Sequence, residues 1–249
     1  MDNLSMNFLS WLTFEINNMC PLTKEHPKCP RNHDRFRDRD IKNLEPITIP
    51  EIINFVNVCI SNYGFKGLVT LHYYNEPLTT KDKVLQLTEA FPNKVYVWTS
   101  GVLFRNPFSE EDLKIIETSY AIRMTVYPGR EDIQKRLSQF PKVSYQSGYE
   151  LDNRTLENVN FTWLLKNPSC FRTDWELITD YFGFGHCCCG DWKGEINIGN
   201  LKTDGPDAYL SKWMKQRSFL KDSQPWDTKE KFEALPAICQ ICKMRTPFI

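Results

Sequence analysis

The chain has 249 residues, which is enough for one large domain or for one domain with a smaller extension. Its 31 basic and 31 acidic residues cancel, so no net charge draws it to nucleic acid or to a membrane surface. A hydrophobic fraction of 41%, with 13% aromatic residues, can build a packed core.

The N-terminal stretch Met1–Asn18 has no basic region followed by a long apolar run, so we expect no signal peptide. No segment approaches the roughly 20 apolar residues that cross a bilayer. We therefore expect a soluble, cytoplasmic protein with no membrane partner and no nucleic-acid partner.

The cysteines occur in groups. Of the nine, Cys59 stands apart and the others lie at positions 20 and 29, at 170 and 187–189, and at 239 and 242. A reducing cytoplasm does not favour disulfides, so this grouping predicts metal ligation rather than structural bridges.

Apolar and polar residues alternate over 11–17, with Leu12, Phe14 and Ile16 on one face, which predicts a strand. Further strands are predicted at 67–72, 95–98, 121–127 and 143–149, and helices at 52–60, 81–91, 109–116 and 130–137. Strands that alternate with helices at this spacing predict parallel βα units. Five or six units are too few for an eight-unit barrel, so we predict an α/β fold with a partial (β/α)6 TIM-like barrel over residues 1–165.

Several predicted strands carry threonine, glutamate, asparagine, histidine or arginine on the face opposite the aliphatic one. A closed barrel of this kind fills its centre with branched apolar side chains. The polar positions therefore predict a hollow interior that holds a ligand. The alternative is an exposed sheet, which parallel sheets rarely form.

The composition changes near Pro168, which predicts a separate C-terminal extension over residues 166–249. A strand-like run over 175–182, followed by Gly183 and Gly185, predicts a β-hairpin that ends at the cysteines 187–189. A helix is predicted at 208–217, and Cys239 and Cys242 follow near the C-terminus.

The loop after the first strand has the pattern C-x5-H-x2-C, formed by Cys20, His26 and Cys29. Thiolates are good ligands for soft metals and for iron–sulfur clusters, and imidazole replaces them at some irons. Because no fourth ligand lies nearby, the loop predicts a three-ligand metal site with one open position and not a zinc finger. The alternative is a surface loop with two unrelated thiols.

Four motifs in order resemble the radical S-adenosylmethionine enzymes that carry a C-terminal SPASM or twitch extension. They are Cys29–Asn32, Asn75–Leu78 after the second strand, Thr99–Gly101 after the third strand, and the cysteines 170, 187–189, 239 and 242. The resemblance extends over nearly the whole chain. It implies an enzyme that reductively cleaves S-adenosylmethionine at a [4Fe–4S] cluster and abstracts a hydrogen atom from a small-molecule or peptide substrate.

The resemblance also implies a second, auxiliary [4Fe–4S] cluster and an electron donor such as flavodoxin or ferredoxin. Two other functions remain open. One is a degenerate family member that acts as a metal-bound scaffold, and the other is a transferase that uses S-adenosylmethionine without radicals.

By position in these motifs, Glu76 would bind the amino group of S-adenosylmethionine, with Asn75 beside it in the same motif. Thr99 and Ser100 would lie near its methionyl or ribose part. Arg123 and Thr125 on the fourth strand could hold its carboxylate or ribose. The alternatives are a solvated loop glutamate at 76 and a structural ion pair at Arg123.

The resemblance assigns the auxiliary cluster to Cys170, Cys239 and Cys242 and to one of the three adjacent cysteines 187–189. Because neighbours on a strand alternate faces and only one orientation can point to the cluster, we favour Cys188, with Cys187 as the second choice. A structural zinc site is the alternative there. At the N-terminal loop, His26 stands where the family has its middle cysteine. Either His26 is an unusual ligand, or His33 takes that place, or the cluster is altered or lost.

Overall fold

Seven strands form one sheet in the part of the chain that the structure, a computed structural model, describes: residues 5–24, 29, 44–147, 172–191, 194–196, 198–222, 229–236 and 239. The strands are β1 (Trp11–Phe14), β2 (Leu68–Leu71), β3 (Val95–Thr99), β4 (Ala121–Val126), β5 (Val143–Ser147), β6 (Glu176–Thr179) and β7 (Gly185–His186). Their order across the sheet is β5-β4-β3-β2-β1-β6-β7. All neighbouring pairs are parallel except β6 and β7.

Helices alternate with the first five strands. Within the described residues the helices are α1 (Ile49–Tyr63), α2 (Lys81–Ala90), α3 (Glu110–Thr118), α4 (Glu131–Leu137), α5 (Arg172–Trp175), α6 (Leu201–Asp222) and α7 (Lys229–Glu233). None of them is long and apolar enough to cross a membrane. The predicted α/β fold with a partial TIM-like barrel is therefore confirmed.

Local sequence signals fix where the helices begin. Thr48 caps α1 and exchanges hydrogen bonds with Glu51, while Gly64 ends the helix with a left-handed φ of 68°. Ser109 caps α3 in the same way with Asp112, and acidic residues fill the first turn of the helix.

The aliphatic faces of the strands pack against these helices to form the main core. Leu12 and Phe14 of β1 are buried, and Phe14 meets Phe55 of α1 edge-to-face at 6.1 Å between ring centroids. Ile60 and Leu113, two apolar residues of these helices, are 36% and 43% exposed. Both lie one helical position off the buried stripe of their helix.

The predicted hairpin is present, and its first strand completes the barrel sheet. β6 pairs in parallel with β1 and antiparallel with β7, so residues from the predicted extension lie beside the first strand of the barrel. β7 ends at His186, which places Cys187–Cys189 in a turn and not on a strand. The alternation of strand faces that favoured Cys188 over its neighbours therefore does not apply.

The polar faces of the central strands are buried. Thr13 of β1 and Thr70 of β2 are fully buried, and Glu15 and Glu176 are almost fully buried. The exposed-sheet alternative is therefore wrong at these positions. Polar groups that are buried need hydrogen-bond partners, and the two threonine hydroxyls meet at 2.5 Å.

We expect Gly67→Ala to weaken the alignment of β1 with β2. A Cβ at position 67 would overlap the carbonyl oxygen of Ser10, which accepts the hydrogen bond from Leu68 N at 2.8 Å. The clash is with the backbone, so the free energy of unfolding should fall by about 1–3 kcal/mol in urea denaturation. Gly190→Ala is the control, because Gly190 likewise has no left-handed φ and a Cβ there would meet only Cys188 Sγ, at an ordinary distance of 3.5 Å. An equal or larger loss at Gly190 would contradict the clash.

Candidate functional site

The carboxylate of Glu76 lies at the carboxyl end of β2 and accepts four hydrogen bonds. Its Oε1 accepts from the hydroxyl of Thr99 at 2.6 Å and from Leu78 N at 3.2 Å. Its Oε2 accepts from Ser100 N at 2.7 Å and from the Ser100 hydroxyl at 2.6 Å. Glu76 is only 3% exposed, so it is not a solvated loop glutamate.

Thr99 and Ser100 therefore contact Glu76 directly. A carboxylate offers about four lone-pair positions, and these donors occupy all of them. Gly101 completes the motif with a φ of 74°, and its N–H donates to the Thr99 hydroxyl at 2.9 Å. The three-residue motif after β3 thus holds the glutamate that follows β2.

The N-terminal cysteine loop is tied to the same turn. Met19 O accepts from Glu76 N at 2.8 Å, and the Asn17 side chain donates to Glu76 O at 3.1 Å. Asn17 Oδ1 also accepts from Met19 N at 2.8 Å. Cys20, which follows Met19, therefore lies next to a residue that is hydrogen-bonded to Glu76.

Asn75 has a buried side-chain amide. Neither its oxygen nor its nitrogen has a hydrogen-bond partner among the described residues. A buried amide without partners costs roughly 1–3 kcal/mol, so such a group in a native protein indicates a ligand or an ordered water.

Arg123 and Thr125 of β4 belong to a second polar group. The Thr125 hydroxyl accepts from Trp98 Nε1 at 3.1 Å and from Gln146 Nε2 at 3.2 Å. Arg123 Nε donates to Gln146 Oε1 at 3.4 Å, and no ion pair to Arg123 occurs within the described residues. The ion pair considered for Arg123 is therefore not found there.

The inner face between β1, β2 and β6 carries a histidine–carboxylate pair that the motifs did not predict. His72 Nε2 lies 3.8 Å from Glu176 Oε2, and Thr13 donates to the same carboxylate oxygen at 3.5 Å. Trp11 stacks on Trp175 beside them at 5.0 Å between ring centroids. The sequence signalled only that His72 lies at the end of a predicted strand. It could not predict the pair, because Glu176 belongs to a segment far away in the sequence.

A buried histidine stands before the cysteine turn. His186 Nε2 lies 3.2 Å from Asp180 Oδ2, and its Nδ1 lies 2.9 Å from Asp191 O. Burial alone lowers the pKa of His186, but the hydrogen bonds and charges of Asp180 and Asp191 outweigh it and raise the pKa to about 9. The imidazole is therefore charged at neutral pH.

The turn that holds Cys187–Cys189 packs against a small apolar cluster formed by Tyr73, Tyr74 and Ile178. Cys29 and Cys189 both pack against this cluster while partly buried. The Tyr74 hydroxyl donates to Cys189 O, and the Tyr73 hydroxyl donates to Asp191 O at 3.2 Å. The N-terminal and C-terminal cysteine groups therefore approach the same turn after β2.

The remaining predicted ligands are placed as follows. Cys187 and Cys239 are buried in the main core, and Cys188 is half-buried. His26, His33, Cys170 and Cys242 lie outside the described residues. Across the described ranges, no three side chains of histidine, cysteine, aspartate or glutamate stand close enough to bind a single metal ion.

Comparison with known proteins identifies the fold. No family model matches the chain, and no curated protein does. A crystal structure of BtrN in complex with AdoMet and 2-DOIA matches with a TM-score of 0.65 and 19% identity, over 89% of each chain. A selenomethionine form of BtrN in an open conformation matches at a TM-score of 0.59 and 17% identity, over 98% of this chain and 94% of that one. The described part of the chain therefore has the fold of BtrN.

We expect Glu76→Gln to destabilise the fold. Each carboxylate oxygen accepts a backbone N–H, from Leu78 on one side and Ser100 on the other. The amide nitrogen of glutamine must therefore face one of these donors, which costs about 1–3 kcal/mol in unfolding free energy. Glu89→Gln is the control, because Glu89 is about half exposed in its pair with Lys114 and should change stability by no more than ~0.5 kcal/mol. Equal effects in urea denaturation would contradict this role of Glu76.

The stability of the metal-free chain should fall as pH rises from about 6.5 to about 9. The pKa of His186 is raised from 6.5 to about 9, so its stabilising contribution is complete below pH 6.5 and is lost through pH 9. The total is roughly 3 kcal/mol, at 1.36 kcal/mol for each pH unit. His186→Asn should flatten this part of the pH profile of unfolding free energy. A variant with the wild-type profile would rule out His186 as the cause.

Proposed function

We propose that the protein is a radical S-adenosylmethionine enzyme that acts on a small-molecule or peptide substrate. The observation that carries this proposal is the buried Glu76 carboxylate at the carboxyl end of a partial barrel, with Cys20 beginning beside it. The fold is that of BtrN, which has been crystallised with AdoMet. Ligands of parallel α/β sheets bind at the carboxyl ends of the strands, which is where these residues lie.

The residues present fit the proposed cofactors. The buried amide of Asn75 has unused donors and acceptors next to Glu76, as a site for an amino acid group requires. Iron–sulfur clusters are held by cysteine thiolates, and Cys20 and Cys29 both lie near this turn. A four-iron cluster spreads its thiolates over separate irons, so it does not need the close grouping that a single ion requires.

When bound, the cluster and S-adenosylmethionine would supply the reductive cleavage of the sulfonium and the abstraction of a hydrogen atom. Glu76 would accept a hydrogen bond from the ammonium group of the cofactor. Rotation of the Ser100 hydroxyl would free one lone pair of Oε2 for it, while Ser100 N and Leu78 N keep the carboxylate in place. Thr99 and Ser100 thus act as positioning residues for Glu76, and Asn75 supplies hydrogen bonds beside it.

The inner face would hold the substrate. His72 and Glu176 offer a donor and an acceptor between β2 and β6, and the stacked Trp11 and Trp175 exclude water beside them. Arg123 and Thr125 on β4 would contact the carboxylate or ribose of the cofactor. Such a face suits a polar substrate that forms several hydrogen bonds.

The auxiliary [4Fe–4S] cluster is part of the proposal, with ligands from Cys170, Cys239, Cys242 and one cysteine of the turn 187–189. Cys187 is buried in the same apolar core as Cys239, which supports Cys187 over Cys188 as that ligand. Electrons would come from a donor such as flavodoxin or ferredoxin. A cytoplasmic location would keep the thiols reduced.

The test is anaerobic reconstitution with iron and sulfide, followed by incubation with S-adenosylmethionine and a strong reductant. We expect a brown protein that releases 5′-deoxyadenosine, measured by chromatography. Cys29→Ala should abolish the product, because it removes a thiolate of the cluster, whereas Lys114→Ala on the exposed face of α3 should not. A colourless protein that binds zinc and forms no product would refute the proposed function in favour of a metal-bound scaffold.

A further inference from the structure

Two cysteines that are far apart in the sequence pack against the same small cluster of side chains. Cys29 follows β1, and Cys189 follows β7, yet both pack against the cluster of Tyr73, Tyr74 and Ile178. The two tyrosine rings lie 4.1 Å apart between centroids, so this cluster is small. The thiols of the two chain segments therefore lie on one side of the barrel mouth.

The backbone of the second segment is fixed in this position by the same tyrosines. The hydroxyl of Tyr74 donates to the carbonyl of Cys189, and the hydroxyl of Tyr73 donates to the carbonyl of Asp191 at 3.2 Å. The Tyr73 ring also packs against the His186 ring, with 5.2 Å between centroids and a tilt of 37° between the planes. Cys189 is therefore held next to the turn after β2 by directed contacts on both sides of it.

Cys20 lies near the Glu76 end of the turn that follows β2. Its neighbour Met19 accepts the hydrogen bond from Glu76 N at 2.8 Å. The four residues from Tyr73 to Glu76 span at most about 14 Å when fully extended, since each residue adds no more than about 3.6 Å. Three cysteines therefore lie on chain segments that meet one four-residue turn, and its two middle residues carry the Tyr74 ring and the buried Asn75 amide.

We infer that Cys20, Cys29 and Cys189 form one three-thiol group, in which Cys189 supplies the ligand that the N-terminal loop lacks. This inference rests on the proposed function, since the cluster at the barrel mouth is what the group would hold. The loop itself offers only two thiols and His26 in the pattern C-x5-H-x2-C. The fold supplies the third thiol from the other side of the turn.

The chemistry of the cluster favours this ligand set over one with His26. A histidine ligand raises the potential of an iron–sulfur cluster, which opposes reduction of a sulfonium. Three thiolates keep the potential low and leave one of four irons open to the cofactor. Cys187 stays available for the auxiliary cluster, because it is buried in the main core and not against the tyrosines.

The first experiment measures proximity in the metal-free, full-length chain. A short bis-maleimide should link Cys189 to Cys29 or to Cys20, and peptide mapping by mass spectrometry should identify the pair. Cys189→Ser should abolish these links, whereas Cys188→Ser, the half-buried neighbour in the same turn, should leave them. If Cys29 and Cys20 link to each other but never to Cys189, the inference is overturned.

The second experiment assigns the cluster ligand without measuring turnover. In the reconstituted, reduced protein, S-adenosylmethionine should alter one electron paramagnetic resonance signal, from the cluster with the open iron. Cys189→Ser should lose that signal as fully as Cys29→Ser does, while His26→Ala keeps it. Cys239→Ala should instead lose the signal that does not respond to S-adenosylmethionine. If His26→Ala loses the responsive signal and Cys189→Ser keeps it, the ligand is His26 and the inference is wrong.

The two experiments separate this inference from the proposed function. A wild-type chain that takes up no iron but forms the Cys189 links would refute the radical enzyme, and the three-thiol group would stand. A wild-type chain with two clusters and product formation, but with a Cys189→Ser variant that keeps both signals, would refute the inference alone.

Discussion

The buried carboxylate of Glu76 is the contact on which the barrel mouth depends. A charge removed from water costs several kcal/mol unless hydrogen bonds replace its hydration, and four short contacts from three residues do so here. Two of these donors are backbone N–H groups, that of Leu78 in the turn after β2 and that of Ser100 directly after β3. The carboxylate therefore fixes how these strand ends meet, and through Glu76 N it also fixes the start of the cysteine loop.

The turn before Glu76 is strained, and its surroundings maintain the strain. Tyr73 has a φ of 138°, a conformation that costs a bulky residue roughly 1–3 kcal/mol. Its hydroxyl donates to Asp191 O, and its ring packs in a tilted orientation against Tyr74 and the charged His186. These contacts join the turn after β2 to the segment after β7. The strained conformation is what allows one short turn to meet two cysteine-bearing segments at once.

The inner face of the sheet differs from that of a closed barrel because it is polar and aromatic. Parallel strands place alternate side chains on this face, and β1, β2 and β6 contribute Thr13, His72 and Glu176 to it. Burial makes each of these polar groups dependent on its neighbours, so the face is organised by hydrogen bonds and not by volume filling. The same face ends at Glu76, which places the proposed substrate and cofactor sites next to each other.

The sequence by itself determined the elements and much of the motif chemistry. Alternation predicted β1, the caps at Thr48 and Ser109 mark helix starts in the residues themselves, and the βα rhythm predicted the partial barrel. These features are local, because each depends on residues within one helical turn or one strand. The position of Glu76 after a strand was likewise readable, but its four donors were not.

Only the tertiary structure decided which distant residues meet. β6 pairs with β1 across more than half of the chain, and this pairing brings Glu176 to His72 and the turn of Cys189 to Cys29. No periodicity encodes such a neighbour, since the same alternation is compatible with any strand order. The sequence could therefore identify the cysteines as ligands, but which of them belong to one site depends on the order of strands in the sheet.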